Sequence, residues 1–193
     1  MKWTEEHNRG PAARHSDAHI FAALNIILEN ERISRKDLSD ELGLGEGSTR
    51  NLLKTMNAWK QIIVQQKGIM LSRFGRETLE TLPVRFVEIS SPTYVQGEYQ
   101  QAILVKGRAD TITNGMKQRD LGIRYGSEGA SVFIMKDGCI IFPPDVKVDE
   151  RDPEFAKKIR AVGMSEGDVL IIVGSDSLPK SRISAAGIGL ETI

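Results

Sequence analysis

Pro83 divides this sequence into two stretches that do not share one hydrophobic rhythm. Before it, apolar residues recur every three or four positions, the period of amphipathic helices. After it, they come in short β-rich runs broken by Gly and Asp, the pattern of strands and turns. A chain of 193 residues suits one large domain or two small ones, and the change of rhythm favours two. The expected domains are residues 1–83 and 84–193.

In the first stretch, DAHIFAALNIILENE puts Ile20, Phe21, Leu24, Ile27 and Leu28 on one helical stripe, with Ser16 or Asp17 as cap. SRKDLSDELG predicts a second helix, capped by Ser34 and stopped by Gly43, with Leu38 and Leu42 inward. GLGEGSTRNLLKTM predicts a third, starting at Gly47-Ser48, with Leu52, Leu53, Met56 and Trp59 or Ile63 buried. IIVQQKGIMLS reads as two strands around a Gln66-Lys67-Gly68 turn. Ser72 then caps a last helix, RFGRETLETL, which Pro83 ends.

The second stretch offers strands in FVEIS, EYQQAILVKG and GDVLIIVGS. SVFIMKDGCIIF is a hairpin turning at Asp137-Gly138, and FPPD at 142–145 would end it and stop edge pairing. Helices are expected in TITNGMKQRDLG, despite Gly115, in DPEFAKKIRAVG after Asp152, and in SRISAAGIGLE. ILVKGRAD and LIIVGSDS echo each other as strands running into polar corners. The fold class expected is therefore α+β or α/β with two domains, the second a mixed α/β unit.

Charge is balanced overall, with 26 Lys+Arg against 26 Asp+Glu, so a polyanionic partner would leave only a local mark. Such a mark exists. No acid lies between Glu46 and Glu77, while Arg50, Lys54, Lys60, Lys67, Arg73 and Arg76 all do. A surface that approaches phosphates favours cations and is penalised for each carboxylate. With Leu52, Leu53 and Met56 buried, the outward arc of the third helix holds Ser48, Arg50, Asn51 and Lys54. Arg and Asn can contact guanine and adenine edges with two hydrogen bonds each, and Ser48 at the helix start suits a phosphate. Glu46 is the discordant residue in that turn. Simple packing against a protein is the plain alternative.

DLSDELGLGEGSTRNLLKTM followed by IIVQQKGIMLSRFGRETLETL resembles the winged helix-turn-helix domains of prokaryotic transcription regulators. GIMLSRFG resembles the Leu, Thr/Ser, x, x, Gly segment with which many wings re-enter their last helix. The whole chain resembles a group of archaeal winged-helix proteins with a C-terminal domain of unknown role. The resemblance implies double-stranded DNA as partner. It also implies wing contacts from Gln65, Gln66 and Lys67, with Arg73 nearby.

Elsewhere the chemistry is sparse. His15 and His19 lie four apart with His7 nearby, but no acidic or thiol ligand is patterned with them, so no metal site is expected. Cys139, the single cysteine, is expected to be a buried inert thiol. The GRAD and GSDS corners lack the glycine spacing of phosphate or dinucleotide loops. With Arg108, Asp110, Arg124, Ser175 and Lys180 they suggest a small-molecule pocket, against the plain reading as turns. No catalytic set and no cofactor is expected. The N-terminus has no signal-peptide core, and VLIIV is too short to span a bilayer, so a cytoplasmic protein without membrane contact is expected. The reading is a DNA-binding transcription regulator, expected as a homodimer, whose second domain binds an effector, dimerises, or both. The alternatives are an enzyme on a phosphate-bearing small molecule, or a protein-interaction module.

Overall fold

The computed structural model describes residues 15–193. The chain divides into two compact units, Met1–Leu82 and Pro83–Ile193. The fold is mixed α+β.

In the first unit come α1 (Asp17–Asn30), α2 (Arg35–Leu42), α3 (Glu46–Ala58), β1 (Ile62–Gln65), β2 (Gly68–Leu71) and α4 (Arg73–Thr81). Each helix start has a local cause. The backbone N–H of Ser16 donates to Nδ1 of His19 at 3.2 Å. Ser34 accepts from the N–H of Asp37, and Gly43, at φ 62°, closes α2 in the left-handed conformation. Ser72 accepts from the N–H of Gly75. α3 begins at Glu46, with Gly45 in the cap position, rather than at Gly47-Ser48. Ile20, Phe21, Leu24, Ile27, Leu38 and Leu42 are buried as the periodicity predicts. Leu28 and Ile63 are not: they are 39% and 43% exposed. Leu28 falls at the margin of the α1 stripe, and Ile63 lies on the outer edge of β1, where alternation turns it outward. The β1–β2 hairpin also gains a rung that no local pattern marks, since Ile33 and Ile69 exchange two backbone hydrogen bonds at 3.0 and 2.8 Å.

The second unit is built on β3 (Val84–Val87), β4 (Tyr99–Val105), β5 (Gly129–Lys136), β6 (Cys139–Phe142), β7 (Val146–Lys147) and β8 (Val169–Ser175). They form one sheet in the order β3-β4-β8-β5-β6-β7, with every neighbouring pair antiparallel. Its helices are α5 (Met116–Arg124), α6 (Val148–Arg151), α7 (Pro153–Ala161) and α8 (Leu178–Thr192). β8 is buried at all seven positions because helices cover both faces of the sheet. Leu170 and Ile172 join Leu104, Phe133, Phe155 and Ile159 on one side. On the other side α8 presses so close to β4 that a side chain at Gly189 would collide with Ile103.

Asp137 and Gly138 both take positive φ, 53° and 75°, and join β5 to β6 as expected for such a hairpin. Asp152 caps α7 by accepting from the N–H of Phe155. Three expectations change. Gly115 is not interior to a helix but caps α5 at φ 74°, a conformation that suits glycine. Pro143 and Pro144 do not stop pairing: they turn the chain so that Phe142 pairs with Val146 across β6 and β7. Finally, β4 and β8 are antiparallel neighbours, with Val105 opposite Val169 and Tyr99 opposite Ser175. The two echoing corners therefore lie at opposite ends of the sheet.

Candidate nucleic-acid interface

The sequence of α3 sorts its side chains by face. Thr49, Leu52, Leu53 and Met56 are buried. Thr49 donates its hydroxyl hydrogen bond to Ser39 at 3.1 Å, and Ser39 donates to the Leu44 carbonyl at 2.6 Å. This chain of hydroxyls fixes how α2 turns into α3. Arg50, Asn51 and Lys54 are left exposed on one face of α3, and Ser48 is half-buried.

Electrostatics on that face are less bare than the sequence suggests. Glu46 sits in the first turn of α3 and pairs with Arg50 at 2.7 Å. Arg73 pairs with Glu77 at 2.7 Å in the same i,i+4 manner. Both pairs are largely exposed, and such pairs contribute only about 0.3–0.5 kcal/mol, so either guanidinium is released cheaply to another anion. Among the described residues Lys54 and Lys67 take part in no ion pair.

Gln65, Gln66 and Lys67 are exposed at the tip of the β1–β2 hairpin. Arg32, which the sequence reading missed, joins them: its guanidinium donates to the Met70 sulfur at 3.3 Å. Only the Ile33–Ile69 bridge brings it there, and that contact spans the whole helical pair α2–α3. Behind the hairpin, Ser72 donates to the Lys60 carbonyl at 2.5 Å, and Gly75 lies against the Gln61 carbonyl with no room for a Cβ. The Leu-Ser-x-x-Gly segment is thus a close backbone crossing.

The ligand residues expected in the second unit are not brought together. The Gly107 N–H that would serve an anion at the GRAD corner is taken by buried Asp168 at 3.0 Å, so Arg108 and Asp110 flank an occupied donor. Ser175 is fully buried, and its hydroxyl shares a 2.7 Å hydrogen bond with Ser181, which donates to the Tyr99 carbonyl. Lys180 is paired with Asp176 at 2.6 Å. Arg124 is exposed at the end of α5. Ser175 is a structural serine, out of reach of a ligand.

Cys139 is half-buried on β6 rather than buried. Burial, with a smaller push from His15, lowers the pKa of His19 from 6.5 to about 4. Burial also lowers that of His15. His7 lies outside the described residues. Among those described, no three His, Cys, Asp or Glu side chains gather as metal ligands, and no helix is long and apolar enough to cross a membrane.

Residues 95–193, just over half the chain, match the family model described as "Domain of unknown function (DUF4443)". The chain belongs to the DUF4443 family. Ahead of the family's domain, residues 20–77 match the model described as "PH0730-like, N-terminal domain". A solved structure titled "Hypothetical protein PH0730 from Pyrococcus horikoshii OT3" is similar over 93% of this chain and 100% of that one, at 28% identity and a TM-score of 0.74. No curated protein matches this member of the family.

Proposed function

We infer that this chain is a DNA-binding transcription regulator whose first unit is a winged helix-turn-helix. In this reading α3 is the reading helix, the β1–β2 hairpin is the wing, and the second unit binds an effector, pairs with a second copy, or both. The observation that carries it is the division of α3: Leu52, Leu53 and Met56 are buried, and Arg50, Asn51 and Lys54 share an exposed face. Lys67 and Arg32 extend that cationic character onto the hairpin. Arg50 and Asn51 read base edges, Ser48 and the first turn of α3 seat a phosphate, and Lys54, Gln65, Gln66, Lys67 and Arg73 hold the backbone. An effector acts by favouring one geometry of the paired chains over another.

The test is duplex DNA binding by the full chain across a salt series. Affinity should fall steeply as salt rises, because each cation seated on a phosphate releases counterions. Lys67→Ala should weaken all sequences alike and flatten the log–log salt slope by about 0.9. Arg50→Ala should narrow the gap between preferred and random duplexes, by about 1–3 kcal/mol if it contacts a guanine. Binding that is absent at low salt, or indifferent to salt, overturns the reading. One observation favours the interaction-module alternative. Ile63, Val64 and Phe74 are 43–54% exposed, apolar surface that would suit a protein partner at the hairpin.

A further inference from the structure

An open cleft of about 790 Å3 lies in the second unit, inside the roughly 300–1,000 Å3 range of small-molecule sites. None of the five ligand residues expected from the sequence lines it. It is formed where the 92–96 segment, the start of α5, the first half of β5 and the Pro143-Pro144 turn converge.

Its walls are fixed by side-chain hydrogen bonds and by packing against the core of the unit. Gln100 accepts from the Ser91 N–H at 2.7 Å and donates to the Val95 carbonyl at 3.0 Å. Ser131 donates to the Tyr94 carbonyl at 2.5 Å. The Tyr94 ring stacks on Phe155 at 5.0 Å and meets Phe133 edge-on at 5.3 Å. Below the segment, Gly174 lies against the Gln96 carbonyl where no Cβ fits. At the second wall, Asn114 accepts from the Met116 N–H at 3.1 Å, and Gly115 turns the chain against Val132. A solvent-facing segment held this firmly is preorganised for a ligand.

The lining chemistry narrows the ligand. Arg119 from α5 and Glu128 before β5 are exposed, and among the described residues neither is in an ion pair. Gln96 and Asn114 add neutral donors and acceptors, while Met116, Val132 and Phe142 supply apolar surface. A cleft lined by one cation and one carboxylate disfavours a polyphosphate, which Glu128 would repel. Guanidinium matches a carboxylate with two parallel hydrogen bonds.

We propose that this cleft binds a small zwitterion of the α-amino acid class. Its carboxylate meets Arg119, its ammonium meets Glu128, and its apolar side chain lies over Met116 and Phe142. The site stands on the second unit alone and holds whether or not the first reads DNA.

Calorimetric titration of the full chain tests it with L-leucine, L-methionine and L-phenylalanine, beside 4-methylpentanoate, which lacks the ammonium, and leucinamide, which lacks the carboxylate. Saturable binding of at least one amino acid is expected, weakened about tenfold by Arg119→Ala and by Glu128→Gln. Glu128→Gln should leave the weaker binding of 4-methylpentanoate unchanged, and Arg119→Ala that of leucinamide. Both positions are on the surface, so both variants should melt with the native chain. The proposal is overturned if none of the three amino acids binds up to about 10 mM, or if binding ignores both substitutions. It is equally overturned if 4-methylpentanoate binds as tightly as leucine.

Discussion

Glu46 is the residue that most restrains the cationic face of α3, because its carboxylate both holds Arg50 at 2.7 Å and would itself approach phosphate. Glu46→Gln should therefore tighten DNA binding by the full chain several-fold. It should change folding stability by less than about 0.5 kcal/mol, the scale of an exposed i,i+4 pair. Weaker binding by the variant would sink the assignment of that face. A second residue-level effect concerns pH. The pKa of His19 lies near 4 in the folded chain against 6.5 when unperturbed, so the unfolded chain takes up the proton first. The stability it confers is complete above pH 6.5 and drains away as pH falls towards 4, by roughly 3 kcal/mol in all. His19→Gln keeps an acceptor for the Ser16 N–H and removes the titration; melting temperatures between pH 4 and 6.5 should then lose part of their slope, the remainder including His15, whose pKa burial also lowers. Single residues were also where the sequence misled most. Ser175 and Arg108 looked available beside their glycines, but their surroundings are set by Ser181, Tyr99 and Asp168, whose nearness depends on strand pairing rather than on local spacing.

Two glycines a helix apart have opposite reasons to exist. Gly47, in the first turn of α3, faces open space, so Gly47→Ala should stabilise the chain by a few tenths to about 1 kcal/mol. Gly75 in α4 lies on the Gln61 carbonyl, and Gly75→Ala should cost about 1–3 kcal/mol as the backbone is forced apart. Equal denaturation midpoints for the two variants would contradict that close crossing. Elements such as α2, α4, α7 and the β5–β6 hairpin were legible because their caps and turns are written within four residues of where they act. Gly115 was misread as an interior residue because an αL cap and a helical glycine look alike until φ is known. The rung from Ile33 to Ile69 and the short β7 were invisible for another reason: each exists only because a strand distant or newly turned offers its free edge.

Across the molecule, the proposed function asks α3 to read DNA, where one such helix would cover few base pairs and tight specific binding would need two copies on adjacent half-sites. Sedimentation of the full chain with a palindromic duplex should give two chains per duplex, with half-sites about 34–36 Å apart; one chain per duplex would rule the pairing out. The order of the sheet has its own consequence. β4 and β5 follow one another along the chain yet never touch as strands, since β8 stands between them. During synthesis the β3–β4 pair and the β5–β6–β7 meander must wait, each with a bare edge, until residues 169–175 leave the ribosome and close the gap. Such late, long-range closure slows folding and exposes edges prone to mispairing. The 92–96 segment rests on Gly174, so the pocket it walls takes shape only when the last strand is born.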